Sequence, residues 1–246
     1  SDVCSSDLFS ELEILFNYSR DLGLIVGCTP FDNESAKFLI EQKVDFIKIA
    51  SADMSNYSLL NHFTSCNIPL IISTGMHNLD SILKLNNWLS INFVEASLLH
   101  VNSTYPTPYN DINLKFMNTL ESYSTTSLYG YSGHERGFHI PVAAVSLGAT
   151  IIEKHFTLNK DLEGNDHKVS LLPDEMSTMV SQIKDLSKAL SGDSELKKIS
   201  QGEKLNKIAL SKGVYMNVDL KPGDSFYVNE TVFKSPCIGL TPDEID

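Results

Sequence analysis

Tyr129-Gly130-Tyr131-Ser132-Gly133-His134 and Gly148-Ala149-Thr150-Ile151-Ile152-Glu153-Lys154-His155 are two runs in which apolar residues give way to polar ones. Between them, Phe138 to Gly148 is largely apolar (Pro141, Val142, Ala143, Ala144, Val145, Leu147), of helical length, and stops at a glycine. The reading is strand, helix, strand. Short buried strands with polar side chains at their C-terminal ends are how a parallel α/β protein presents a site. In a right-handed crossover both strands end on the same edge, so His134 and His155 should converge. Neutral imidazoles with a carboxylate nearby, here Glu153 and Asp166, are ordinary ligands for a divalent metal. The competing reading is a set of hydrogen-bonded, inert strand-end residues.

Outward from that unit the alternation repeats. Leu8 to Gly23 carries Leu8, Phe9, Leu12, Leu15, Phe16 and Leu22 at helical spacing, with no strand before it. Leu24 to Cys28 is a strand candidate, and Asn33 to Gln42 a helix. Then come Phe46 to Ala50, Tyr57 to Phe63, Pro69 to Ile72, Leu79 to Leu89, Val94 to Val101, Ile112 to Leu120 and Ser127 to Tyr131. With Ile151 to His155, six strands alternate with helices, which implies a parallel sheet with helices outside. Every strand end carries polar groups: Thr29, Lys48 and Ser51, Ser73, Ser103 and Tyr105, Ser132, Glu153 and His155. A doubly wound sheet concentrates function at one switch point, whereas a closed barrel spreads it over all strand ends. The expected fold class is therefore α/β, a (β/α)8 TIM barrel lacking its first strands. No Gly-rich phosphate fingerprint follows the first strand.

Pro173 to Leu190 is an amphipathic helix that ends this domain, expected to span residues 1–190. Residues 191–206 are polar and read as a linker. In 207–246, Ala209-Leu210, Val214-Tyr215 and Phe226-Tyr227-Val228 are β-like runs, with Lys221-Pro222-Gly223-Asp224 as a turn, giving a small β-rich module.

A net charge of -12 argues against a nucleic-acid binder and against docking on an anionic membrane, since both need clustered cations. A hydrophobic fraction of 42% over 246 residues supports a real core. Cys4, Cys28, Cys66 and Cys237 are scattered without a CxxC pair, which reads as reduced thiols in a cytoplasmic protein. Ser1 to Ser6 shows no periodicity, and the sequence carries neither a long apolar run nor a signal pattern.

Lys48 alternates with apolar neighbours, so it points into the barrel mouth, where it pairs with a carboxylate or phosphate or, with a depressed pKa, forms a Schiff base. Thr29, Ser51, Ser73, Ser103 and Ser132 add neutral donors, a set that suits an oxyanion. The alternative for each hydroxyl is a helix cap. Tyr105-Pro106-Thr107-Pro108 is a stiff turn that fixes the tyrosine. Asp53 and Asp166 are loop acids suited to sugar hydroxyls or proton transfer. Trp88, Phe116 and Phe63 read as core.

Thr29-Pro30-Phe31-Asp32, Lys48-Ile49-Ala50-Ser51, Ser73-Thr74-Gly75-Met76, Tyr105-Pro106-Thr107-Pro108, Gly130-Tyr131-Ser132-Gly133-His134, Glu153-Lys154-His155-Phe156 and Asp166-His167 together resemble the N-acetylneuraminate (sialic acid) synthase family, in the family's order, over about Leu8 to Leu190. A weaker likeness to the antifreeze-like (SAF) domain begins near Lys207. The resemblance implies a barrel, a linker and an SAF-type module, assembled as a domain-swapped homodimer. It implies condensation of phosphoenolpyruvate with an N-acetylmannosamine-type amino sugar, or its 6-phosphate, to a nine-carbon 2-keto sugar acid with release of phosphate.

By matching positions, His134 and His155 would hold the divalent metal, Mn2+ or Mg2+, which would polarise the sugar aldehyde. Thr29, Lys48, Ser51, Ser73, Ser103, Tyr105 and Ser132 would hold phosphoenolpyruvate, and Asp53 and Asp166 the acceptor. The candidate catalytic set is His134, His155, Glu153 and Lys48. Three departures stand out: Gly133 where many members have aspartate, Ser103 where asparagine is common, and Ser235 where many carry an arginine that reaches the sugar. The last leaves the acceptor open. Alternatives are a legionaminate- or pseudaminate-type synthase, a Schiff-base aldolase using Lys48, and a non-catalytic carbohydrate-binding relic. The resemblance also places the first helix after the family's second strand, so residues 1–246 alone are expected to be poorly soluble and inactive, with the SAF-type module cut short.

Overall fold

The computed structural model describes residues 6–192 and 196–245. Cys4 with most of the leader, residues 193–195 of the expected linker, and Asp246 lie outside the described residues. The chain divides into two compact units, Ser1–Ser191 and Gly192–Asp246.

In the first unit, helix α1 (Ser6–Asp21) is followed by β1 (Gly27–Cys28), α2 (Asn33–Glu41), β2 (Phe46–Ile49), α3 (Tyr57–Leu60), β3 (Leu70–Ser73), α4 (Leu79–Ile91) and β4 (Ala96–Val101). Then come α5 (Met117–Leu120), β5 (Tyr129–Gly133), α6 (His139–Ser146), β6 (Ile151–Lys154) and α7 (Pro173–Leu190). The strands form one six-stranded sheet in sequence order, and every pairing is parallel. Strand pleating sorts the side chains: Ile47 and Ile49 face outward into a core shared with Leu39 of α2, Leu60 of α3 and Leu85 of α4, while Lys48 turns inward. Phe63 is buried in that core, and Trp88 and Phe116 pack against it.

The sheet is curled into a half-barrel. β2 and β6 lie four places apart in the strand order, yet the Lys48 Nζ of one stands 3.5 Å from the Glu153 Oε1 of the other. Only a sheet bent around an interior brings those two strands face to face.

Several elements differ from the sequence-based expectation. Of Leu24 to Cys28 only Gly27 and Cys28 form the strand; Val26 is held at its start by Asp45, whose carboxylate accepts from Val26 N and whose N–H donates to Val26 O, both at 2.8 Å. The helix expected over Ile112 to Leu120 is broken. Asn113 adopts a left-handed conformation (φ 47°), leaving a 3-10 turn at Leu114–Phe116 and a single α turn. The count of six strands also missed a single parallel bridge between Phe156 and Leu171, where the Leu171 N–H donates to the His155 carbonyl at 2.8 Å. Cys28, Cys66 and Cys237 are free thiols. Among the described residues no helix is long and apolar enough to cross a membrane.

The second unit holds α8 (Gln201–Leu210) and an antiparallel pair, β7 (Gly213–Met216) and β8 (Thr231–Lys234). The end of the expected linker is therefore helical, as is the expected β run Ala209-Leu210. Ser200 caps α8 by accepting from Glu203 N at 3.2 Å, and the Glu203 carboxylate accepts from Ser200 N at 2.8 Å, a reciprocal box that starts a helix. Phe226-Tyr227-Val228 is not a strand either. Tyr227 N donates to the Glu230 carboxylate, and pairing begins at Thr231. The Lys221 to Asp224 turn forms, closed by Asp224 N donating to Lys221 O at 3.0 Å.

Candidate functional site

The C-terminal ends of the six strands open on a cavity of about 530 Å3. Eleven of the twelve residues singled out from the sequence line it: Thr29, Lys48, Ser51, Ser73, Ser103, Tyr105, Ser132, His134, Glu153, His155 and Asp166. Asp53 is the exception. It ends the 3-10 turn Ser51–Asp53 and accepts from the Asn56 side chain at 2.9 Å.

Helix capping does not account for the hydroxyls. Asp32, Asn56 and Asn78 supply the caps of α2, α3 and α4, so Thr29, Ser51 and Ser73 are not used for that purpose. Ser51 Oγ instead accepts from Gly75 N at 3.1 Å. Gly75 lets the hydroxyls gather: a Cβ there would stand 2.3 Å from Ser103 Oγ and 2.8 Å from Ser51 Oγ. Ser73 Oγ is buried without a hydrogen-bond partner among the described residues. An orphaned buried hydroxyl is costly unless something else satisfies it, and here it borders a cavity.

Lys48 reaches this group from β2. Its ammonium donates to Ile49 O at 3.2 Å and faces Glu153 at 3.5 Å. Burial pushes its pKa below the ordinary lysine range, and the Glu153 carboxylate partly opposes that.

Beside the hydroxyls stand the two histidines, with ring centroids 5.2 Å apart. His134 Nδ1 lies 2.8 Å from the Asn102 carbonyl. A carbonyl only accepts, so Nδ1 carries the proton and Nε2 keeps its lone pair. Tyr105 stacks on the His134 ring at 4.1 Å, with its hydroxyl 3.1 Å from that Nε2. Burial holds the His134 pKa below the usual histidine range, outweighing the bond to Asn102. His155 Nδ1 is 3.9 Å from Asp166 Oδ2.

The donor set suits a divalent metal with open positions: two imidazoles, one fixed in tautomer by a backbone carbonyl and one flanked by a carboxylate. Among the described residues no group of three His, Cys, Asp or Glu side chains is placed to hold such an ion, so the remaining positions would fall to water or substrate.

Sequence reasoning missed a second layer. Glu135 and Lys154, each next to a histidine, have side chains with no exposed surface, and their charged groups meet at 3.0 Å. The Lys154 ammonium also reaches the Glu135 main-chain carbonyl, and the Tyr131 hydroxyl donates to the other Glu135 oxygen at 2.6 Å. Burial lowers the Lys154 pKa, with Glu135 opposing it, and burial with the Glu135 charge raises that of Tyr131. The available signal was a charged residue beside each histidine at the end of a strand. Lys154 itself, with Phe31, Ala50, Ala52 and Met76, also lines the cavity without having been singled out.

The chain is 37% identical over 238 residues to N,N'-diacetyllegionaminic acid synthase of Campylobacter jejuni, covering 96% of this chain and 70% of that protein. It is 35% identical to N-acetylneuraminate-9-phosphate synthase of Drosophila melanogaster over 205 residues, 78% of this chain and 54% of that one. Among solved structures, N-acetylneuraminic acid synthetase from Leptospira borgpetersenii, in complex with citrate, matches with a TM-score of 0.74 and 31% identity, over 80% of this chain and 69% of that one. Residues 8–195 match the NeuB family, and with its parallel half-barrel and polar strand-end cavity the chain belongs to that family.

Proposed function

We propose that the protein condenses phosphoenolpyruvate with an N-acetylmannosamine-type amino sugar, or its 6-phosphate, to a nine-carbon 2-keto sugar acid, releasing phosphate. The observation that carries this is the orphaned Ser73 hydroxyl, which lines one cavity together with Lys48, the Ser51, Ser103 and Ser132 hydroxyls, His134 and His155. One charged donor with several neutral ones fits a small phosphorylated carboxylate better than a neutral sugar.

In this reading Lys48 supplies the fixed positive charge, while Thr29 and the serines orient the anion. Tyr105, stacked on His134, lines the same cavity. Glu153, facing Lys48 across the interior, would hold or move a proton during the condensation. Asp166 would hold acceptor hydroxyls. Asp53, being absent from the cavity wall, is a weaker candidate for that role. His134 and His155 would hold Mn2+ or Mg2+, which when bound polarises the acceptor aldehyde as a Lewis acid. The second unit is read as an SAF-type module and the assembly as a homodimer.

A legionaminate-type acceptor is the second reading, favoured by the similarity to the Campylobacter jejuni synthase. Ser235 does not decide between them, because its hydroxyl is tied to the Leu210 carbonyl at 2.8 Å.

The test is phosphate release from phosphoenolpyruvate with manganese and a panel of amino sugars. Release with a mannosamine-type acceptor selects the first reading, release with only a bacillosamine-derived acceptor selects the second, and no release together with no binding of phosphoenolpyruvate removes both. The cavity residues all lie within 29–166, so calorimetric binding of phosphoenolpyruvate by residues 1–246 reads this chain by itself. No binding would remove the anion cradle.

A further inference from the structure

The tautomer of His134 is set by Asn102, but nothing in that contact fixes the distance from His134 to His155. The spacing has another source. His134 is followed by Glu135 and His155 is preceded by Lys154. These neighbours are bonded twice, through the side chains at 3.0 Å and through the Lys154 ammonium on the Glu135 main-chain carbonyl. Tyr131, on the same strand as Gly133, holds the remaining carboxylate oxygen.

Gly133 pairs in register with Lys154. A Cβ on Gly133 would stand 2.7 Å from Glu135 Oε1 and 3.0 Å from Oε2. The Glu135 carboxylate thus fills the space that a side chain at position 133 would take, and Gly133 is what admits it.

We infer that the buried Tyr131, Glu135 and Lys154 cluster is a positioning device that sets the separation of His134 and His155, with Gly133 as its required partner. The inference rests on the reading of those histidines as metal ligands only for its consequence, not for its geometry. A carboxylate delivered to the same space from position 133 should do the work of Glu135.

The experiment uses the full chain in metal-free form, with the imidazole carbon-proton resonances of its seven histidines recorded by NMR. His134→Gln and His155→Gln assign the two signals, and Mn2+ affinity is measured in parallel. In Glu135→Gln the His134 and His155 signals should shift or broaden while those of His62 and His77 stay in place, and Mn2+ should bind about tenfold or more weakly, the usual effect of losing an outer-shell partner. Gly133→Asp combined with Glu135→Ala should return both signals and the affinity toward the parent. Unmoved signals and unchanged affinity in a folded Glu135→Gln protein would overturn the inference. So would a double variant no better than Glu135→Ala alone, which remains decisive if Glu135→Gln does not fold. If the parent binds no Mn2+, the metal reading fails and the resonances alone decide the positioning role.

Discussion

Two lysine–glutamate pairs share strand β6 and teach opposite lessons. Glu153 and Lys154 are consecutive, so the pleat turns them to opposite sides of the sheet. Glu153 meets Lys48 at 3.5 Å with 40% of its side-chain surface exposed, whereas Lys154 meets Glu135 at 3.0 Å with neither side chain exposed at all. The first pair borders the cavity and is loose enough for a ligand to intervene. The second is closed, hydrogen-bonded on every side the structure shows, and unable to change partner without exposing a buried charge. The same chemical pair is thus a working part on one side of a strand and a rivet on the other, and burial makes the difference.

Removing one partner from each pair is the strongest way to break this contrast. Glu135→Ala should destabilise the fold by about 3–5 kcal/mol, because Lys154 is left buried and unpaired. Glu153→Ala should cost no more than about 1 kcal/mol, since its pair is partly screened by solvent. Urea denaturation of both variants measures this, and equal losses would erase the distinction.

Next in size is the ligand. Lys48→Ala should weaken phosphoenolpyruvate binding by about 1.5–3 kcal/mol, the worth of a charge-assisted hydrogen bond, with little change in stability. Calorimetry that finds unchanged affinity would take Lys48 out of the anion site.

Acidity sharpens the contrast further. Burial lowers the Lys48 pKa, and only the protonated amine attracts an anion. Affinity should therefore fall as pH rises through a midpoint below the ordinary lysine range. Lys48→Arg should remove that alkaline decline, since the guanidinium stays charged. An identical pH profile in both proteins would show that another group controls binding.

The smallest effect belongs to Ser73. Its hydroxyl has no hydrogen-bond partner among the described residues, so Ser73→Ala should leave stability unchanged or slightly raised while weakening phosphoenolpyruvate binding by about 1 kcal/mol. A loss of stability without loss of affinity would assign that hydroxyl to the fold rather than to the ligand.

Much of this was legible in the residues. The strand–helix alternation, α7 over Pro173–Leu190, and the strand-end members of the eleven candidates that line one cavity follow from local pattern. Strand and helix periods are local, and in a parallel sheet every strand end reaches the same edge. Where local rules competed, the reading failed. Asn113 in its left-handed conformation broke the helix expected over Ile112 to Leu120, and the Ser200 box turned the end of an expected linker into helix.

The sequence by itself determined which side chains stand at the strand ends and that they share an edge, because period and polarity are properties of neighbours along the chain. Only the tertiary structure decided the partners. Lys48 finds Glu153 because the sheet curls until β2 faces β6. Lys154 finds Glu135 because Gly133 leaves room for a carboxylate above it. Curvature and excluded volume are set by everything packed around them, and no spacing along the chain encodes either one.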